Sequence, residues 1–236
     1  MPRSRNKTGR SSASPSSALA DYERKRDFSK TKEPSGRAKG RRKGKAQRRH
    51  PRFSFQKHSA TSEHYDLRLE VDGVLASWAI PKGPSLDPRD KRLAMRTEDH
   101  PLQYLEWEGV IAEGEYGAGP MIVWDRGVFQ NISETRGGQP MELADAIEKG
   151  DVKLFMLGEK IKGAYALVRT GPPSDREKWL LIKKRDEGAD ARRKPTSSQP
   201  ESVLSGRTIE QVLEEEAEPG QFAKHRARRR QRRRRG

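Results

Sequence analysis

The chain has no cysteine, only 31% hydrophobic and 6% aromatic residues, and no apolar run near the roughly 18 residues that a spanning helix needs. The missing cysteines remove disulfides, thiolate nucleophiles and cysteine zinc sites, and they fit a reducing compartment. Any metal must then sit on His, Asp or Glu. The scarcity of apolar sequence excludes membrane spans, and the N-terminus lacks the apolar stretch of a secretory signal. Acidic residues are also short, with 34 Asp+Glu against 50 Lys+Arg and a net charge of +16 over 236 residues. A cytoplasmic, nucleoid-associated protein is expected, with no membrane partner.

That charge is unevenly spread. Residues 1–52 hold 18 basic and 4 acidic side chains, residues 53–188 hold 19 and 23, and residues 189–236 hold 13 and 7. The middle has an ordinary globular composition, whereas the ends contain too few apolar residues to offset the entropy of ordering them. The expected organisation is a disordered basic arm at 1–20, one domain at 21–188 and a mobile C-terminal tail at 189–236. Within the domain, 21–52 is a basic N-terminal arm and 53–188 the core. The tail contains a short helix and ends in an arginine-rich run from Lys224 to Arg235, whose natural partners are polyanions.

Within the core, Phe53 and Phe55 alternate with polar neighbours, and His64 to Leu69 alternate again. Strand geometry therefore puts His64, Asp66 and Arg68 on one face and Tyr65, Leu67 and Leu69 on the other. Asp72-Gly73 suits a two-residue hairpin turn, in which both central residues take positive φ, and Val74 to Ile80 is the returning strand. Further strands are expected at Arg92 to Met95, Asp151 to Leu157, Gly163 to Arg169 and Trp179 to Lys184. Met121 to Trp124 and Val128 to Ile132 read as another hairpin around Asp125-Arg126-Gly127. Met141 to Lys149 reads as a helix, as does Thr208 to Glu216, capped by the Thr208 hydroxyl. The fold class is mainly β: a small antiparallel β-barrel or sandwich with one or two flanking helices.

Two clusters could carry chemistry. His58, His64 and Asp66 are two imidazoles and a carboxylate within nine residues, a plausible ligand set for a divalent metal, and Arg68 continues their face with a fork of donors suited to phosphate. The competing reading is an exposed polar face with a surface ion pair. The second cluster runs from Glu98 to Tyr104, where His100 could handle a proton and Tyr104 could donate to a phosphate oxygen, or the pair could be a turn and a core aromatic. Lys82 and Arg92 could be only solvated charges. Gly114-Glu115-Tyr116-Gly117-Ala118-Gly119 lacks the Lys-Ser/Thr ending of a phosphate loop and is expected to turn the backbone. There is no Gly-x-Ser-x-Gly elbow and no Lys-x-Asp-Gly adenylation motif.

At these motifs the chain resembles a known family. Gln56-Lys57-His58, His64-Tyr65-Asp66-Leu67-Arg68-Leu69-Glu70, Trp78-Ala79-Ile80-Pro81-Lys82-Gly83-Pro84-Ser85, Arg92-Leu93-Ala94, Asp99-His100-Pro101-Leu102-Gln103-Tyr104 and Gly114 to Gly119 are similar to the 3′-phosphoesterase domain of bacterial DNA ligase D. The match covers Tyr22 to about Asp186, without polymerase or ligase modules, so the stand-alone form is implied. The resemblance implies a barrel with a manganese-dependent site on its polar surface: His58, His64 and Asp66 on the metal, and Arg68, His100 and Tyr104 on the scissile phosphate. Gln56, Lys82 and Arg92 fall on further site positions, and Arg26, Asp27 and Glu33 match an N-terminal arm that contributes to activity. The implied activity removes a 3′-terminal ribonucleoside from DNA and then the 3′-phosphate, leaving a 3′-hydroxyl for ligation in double-strand break repair. Implied partners are DNA ends, with Ku and a separate ligase or polymerase, and a monomer is expected. Two rivals remain at this stage, a non-catalytic DNA-binding accessory protein and a phosphatase of small phosphoesters.

Overall fold

A computed structural model of the chain describes residues 15–36, 50–174, 177–217 and 222. The start of the N-terminal arm and the arginine run fall outside the described residues. Nine strands form one sheet: β1 (Arg52–Ser59), β2 (Glu63–Val71), β3 (Val74–Ile80), β4 (Lys91–Pro101), β5 (Gly109–Ile111), β6 (Gly119–Asn131), β7 (Asp151–Gly158), β8 (Lys162–Arg169) and β9 (Lys178–Lys183). The order is β1-β2-β3-β4-β9-β8-β7-β6, and β6 pairs back onto β1, so eight antiparallel strands close into a barrel with β5 added along β6. Closure leaves those eight strands without open edges.

The alternation along β1 and β2 decides what fills the barrel. Phe53, Phe55, Tyr65, Leu67 and Leu69 turn inward and join Trp78, Trp124, Leu154, Leu167 and Trp179 in one apolar cluster. Edge-on ring pairs lock it, Tyr65 on Trp124 at 5.1 Å and Trp78 on Trp179 at 5.6 Å between centroids. The same alternation sends Gln56, His58, His64, Asp66 and Arg68 to the outer face. Asp72 and Gly73 make the expected turn with φ of 47° and 85°, and Val71 faces Val74 across it.

Two expectations need correction. The segment read as a hairpin around Asp125-Arg126-Gly127 is one continuous strand, β6, of 13 residues. Asp125 turns sideways instead: its Oδ1 accepts from the backbone N–H groups of Glu159 and Lys160, and its Oδ2 from that of Ile161, each at 2.9 Å, which clamps the β7–β8 turn. Gly127 lets that neighbour approach, since a Cβ there would lie 2.0 Å from the Leu157 carbonyl. The strand at Arg92 is also longer than expected. β4 runs 11 residues to Pro101, so His100 is held by strand pairing rather than by a turn.

Three further segments complete the barrel, and one of them, a helix carrying Leu143 and Ala146, joins the inner apolar cluster. The helical turns α1 (Pro15–Ala18) and α2 (Ala20–Arg24) and a 3₁₀ helix at Leu102–Glu106 lie over β3 and β4, burying Leu19, Tyr22, Leu75, Tyr104, Leu105 and Met121 together. The helix α3 (Leu143–Lys149) starts two residues later than expected and ends at Gly150, with φ 83°. Residues 189–217, assigned to the tail on composition, run across the barrel through α4 (Pro195–Ser198) and α5 (Ile209–Glu216). Ile209, Val212 and Leu213 of α5 pack on Val110 and Ile122, and Thr208 caps the helix reciprocally with Gln211. Among the described residues, no helix is long and apolar enough to cross a membrane.

Candidate active site

Strand register assembles the outer-face residues. His58 pairs with His64 and Gln56 with Asp66 across β1–β2, Arg68 pairs with Ser77 across β2–β3, and Leu75 pairs with His100 across β3–β4. They line or back a cavity of about 350 Å³, closed by the arm (Arg26), β4 (Glu98, His100), Tyr104 and the loop carrying Tyr116 and Gly117. The face is polar but not exposed: His58, Asp66, Arg68 and His100 are 5%, 6%, 2% and 4% accessible. The reading as a surface ion pair on an exposed strand does not hold.

His58, His64 and Asp66 form a cluster whose ligand atoms all lie within 4.8 Å of one another. Carbonyl groups orient both rings. His58 Nε2 donates to the Gly117 carbonyl at 2.7 Å, and His64 Nδ1 donates to that of Ser62 at 3.0 Å. A carbonyl can only accept, so in the neutral rings His58 Nδ1 and His64 Nε2 are left as lone pairs, 3.7 and 3.6 Å from the Asp66 carboxylate. Two lone pairs aimed at a carboxylate repel it unless a cation lies between them, and this donor set suits a divalent metal. Burial opposes ionisation of Asp66, but the Arg68 guanidinium beside it holds its carboxyl below the usual range.

Arg68 is fixed on all sides. Its Nε donates to Gln56 Oε1, its NH1 to Ser77 Oγ at 3.0 Å and its NH2 to Asp66 Oδ2 at 3.2 Å, and its guanidinium lies 4.5 Å from the Tyr104 ring centroid. Gln56 is anchored in turn, donating to the Tyr104 and Trp107 carbonyls at 2.9 and 2.8 Å. His100 Nδ1 donates to the Glu98 carbonyl at 2.8 Å, which leaves Nε2 to accept from Arg26 NH2 at 3.3 Å. Burial, then the Arg68 and Arg26 charges, push the His100 pKa well down, so the ring is neutral at pH 7. Arg26 also bonds Glu33 at 2.9 Å and Glu98 at 3.2 Å. Tyr104, its pKa raised by burial and by Glu33, gives its hydroxyl to Glu33 at 2.6 Å.

The residues singled out in the sequence thus separate into groups. His58, His64, Asp66, Arg68, His100, Tyr104 and Arg26 share the cavity, while Gln56 and Glu33 stand behind it as anchors. Asp27 is exposed and bonds Ser29 and Lys30. Lys82 and Arg92 line a different cavity with Arg193 and Lys194, where Arg92 pairs with Asp90 at 2.7 Å. Sequence reading missed Ser77 and the Gly117 and Ser62 carbonyls, and it gave Glu98, the first residue of the second cluster, no role. Ser77 had a legible signal, since the Asp72-Gly73 turn fixes it opposite Arg68. Gly114 and Gly117 do turn the backbone, with φ of 95° and 79°.

A closed antiparallel barrel bearing a His-His-Asp cluster beside buried arginine and histidine on its outer wall is a frame suited to a divalent metal and a phosphate ester. The chain belongs to the family of DNA ligase D 3′-phosphoesterase domains, whose model matches residues 56–169, and it is a phosphoesterase hydrolase. It is 46% identical over 196 residues to the multifunctional non-homologous end joining protein LigD of Pseudomonas aeruginosa, covering 82% of this chain and 22% of that protein. It is 38% identical over 170 residues to the LigD protein of Mycolicibacterium smegmatis, covering 72% and 21% of the two. With the LigD protein of Mycobacterium tuberculosis it shares 41% identity over 162 residues, 69% of this chain and 19% of that protein. The chain spans about a fifth of the length of these curated relatives.

Proposed function

We propose that the protein heals DNA 3′ ends with the help of a divalent metal, manganese foremost, removing a 3′-terminal ribonucleoside and then the remaining 3′-phosphate. The observation that carries this reading is the joining of the His58–His64–Asp66 cluster to Arg68, His100 and Arg26 in one cavity. His58, His64 and Asp66 hold the ion, which when bound polarises a phosphoryl oxygen and activates water. Charge balance supports its presence. The guanidinium groups of Arg26 and Arg68 and the Lys25 ammonium are matched by the carboxylates of Asp66, Glu98 and Glu33, so a phosphate gains net attraction once a cation is added.

Arg68 keeps part of its donor fork free for a non-bridging oxygen, in a geometry already set by Gln56, Ser77 and Asp66, so little reorganisation accompanies charge growth on the phosphate. His100 enters neutral, with Nδ1 donating to the Glu98 carbonyl and Nε2 accepting from Arg26, so it positions that guanidinium beside the phosphate rather than delivering a proton first. Arg26 sits beside it as a second cation, kept in place by Glu33 and Glu98. The relatives' names support a role in non-homologous end joining, and Ku and a separate ligase or polymerase are the partners we propose for it. The test is a labelled primer-template ending in one ribonucleotide. With manganese, the strand should shorten by one nucleoside to a 3′-phosphate and then to a 3′-hydroxyl. No product at any divalent metal concentration overturns the proposal.

A further inference from the structure

Tyr116 is an outlier among the tyrosines. Tyr22, Tyr65, Tyr104 and Tyr165 are at most 4% accessible, whereas Tyr116 is 53% accessible although it lines the cavity that holds the metal cluster. Packing does not explain its position, because so exposed a ring stabilises little by burial. The loop beneath it is set firmly: Glu115 N–H bonds the Ala112 carbonyl at 3.1 Å, Ala118 N–H bonds that of Glu115 at 3.0 Å, and Gly114 and Gly117 adopt positive φ. The next residue, Gly117, orients His58 through its carbonyl, so the ring lies one residue from a contact of the cluster. Lys25, itself held by Glu98 at 3.0 Å, stands over the ring at 4.8 Å from its centroid. A firmly placed, half-exposed ring with a cation over one face, at the rim of the cavity of about 350 Å³, matches what single-stranded nucleic acid ends use: a flat surface for a base and a positive charge for its backbone.

We propose that Tyr116 is the platform on which the nucleobase next to the scissile phosphate stacks, which makes it a positioning residue for the strand end. The inference rests on the end-healing reading and names how the site holds its substrate. A stack is indifferent to base identity, so it suits an enzyme that must accept any terminal nucleotide. It also places the phosphate by fixing the base attached to it, a contribution that a phosphate-only contact cannot make.

The test compares wild type, Tyr116→Ala and Tyr116→Phe on three primer-template ends: a terminal ribonucleotide, the same ribose without its base, and a 3′-phosphate. On the ribonucleotide end Tyr116→Ala should raise KM about tenfold and Tyr116→Phe should stay near wild type. A loss confined to the ribonucleotide end assigns the stack to the departing nucleoside. An equal loss on the 3′-phosphate end, abolished when the nucleotide bearing that phosphate lacks its base, assigns it to the retained nucleotide. No loss, or the same loss with and without bases, overturns the inference. A wild-type protein inert on all three ends overturns the end-healing reading instead. In that case the fluorescence of a terminal 2-aminopurine decides the stack without turnover: quenching on binding by wild type but not by Tyr116→Ala supports it, and equal quenching rejects it.

Discussion

The two faces of the β1–β2 hairpin are buried to nearly the same degree by opposite means. Inward, Phe53, Phe55, Leu67 and Leu69 are fully buried among other apolar side chains. Outward, Gln56, His58, Asp66 and Arg68 are almost as inaccessible, but each depends on a directed bond to a named partner. Apolar contact is non-directional and tolerates volume-conserving exchange, whereas a buried polar group that loses its partner is penalised. Equal burial therefore does different jobs on the two faces. The inner face holds the barrel together, and the outer face holds charges and lone pairs in fixed positions for a ligand.

Substitutions on the two faces should accordingly separate activity from stability. The largest effect is expected at His64, whose main tie is to a nearby carbonyl and whose loss leaves the Asp66–Arg68 pair intact. His64→Ala should lower metal-stimulated turnover by about a thousandfold or more while thermal unfolding barely moves. A large drop in melting temperature would show the outer face to be structural as well. Across the strand, Leu67→Ala should cost about 2–5 kcal/mol in chemical denaturation, with kcat unchanged wherever the protein is folded. A lowered kcat in folded Leu67→Ala would mean that core packing sets the site geometry directly.

A smaller loss, roughly ten- to a hundredfold in kcat, is expected for Arg68→Lys, because an ammonium group cannot reach Gln56, Ser77 and Asp66 together. Arg68 is also the strongest influence lowering the Asp66 pKa, so in Arg68→Ala that pKa rises and the acid limb of the activity profile should begin at higher pH than in wild type. Coincident acid limbs would remove Arg68 from that role. The smallest effect concerns His100. Its folded pKa lies below the unfolded value of about 6.5, so the unfolded chain binds the proton first. The stability it contributes is present above about pH 6.5 and is lost as pH falls through the folded value. His100→Gln should flatten that acid decline in a melting series from pH 7.5 to 5, and an undiminished slope would assign it to other groups.

Much of this was legible in the sequence because it depends on neighbours along the chain. The period of two in His64 to Leu69 separates ligand face from core face whatever the sheet does next, and Asp72-Gly73 fixes the register that sets Ser77 against Arg68. The motifs around His58, His64 and His100 were enough to indicate the family. Local pattern failed where a residue's role is set at long range. Asp125-Arg126-Gly127 has the composition of a turn, yet it continues β6, because Asp125 serves a turn more than 30 residues away. Lys82 and Arg92, placed in the active site by motif, belong to a second cavity.

By itself, then, the sequence determined the strand period, the hairpin turn and the identity of the charged and lone-pair-bearing side chains that share a face, all consequences of local backbone geometry. The tertiary structure alone decided that the polar face is covered rather than open. Closure depends on β1 meeting β6, and the lid depends on Tyr22, Arg26 and Glu33 reaching Tyr104 and His100 from an arm some seventy residues away. Contacts of that span cannot be read from spacing, because their entropic cost is met only when the rest of the fold is already in place.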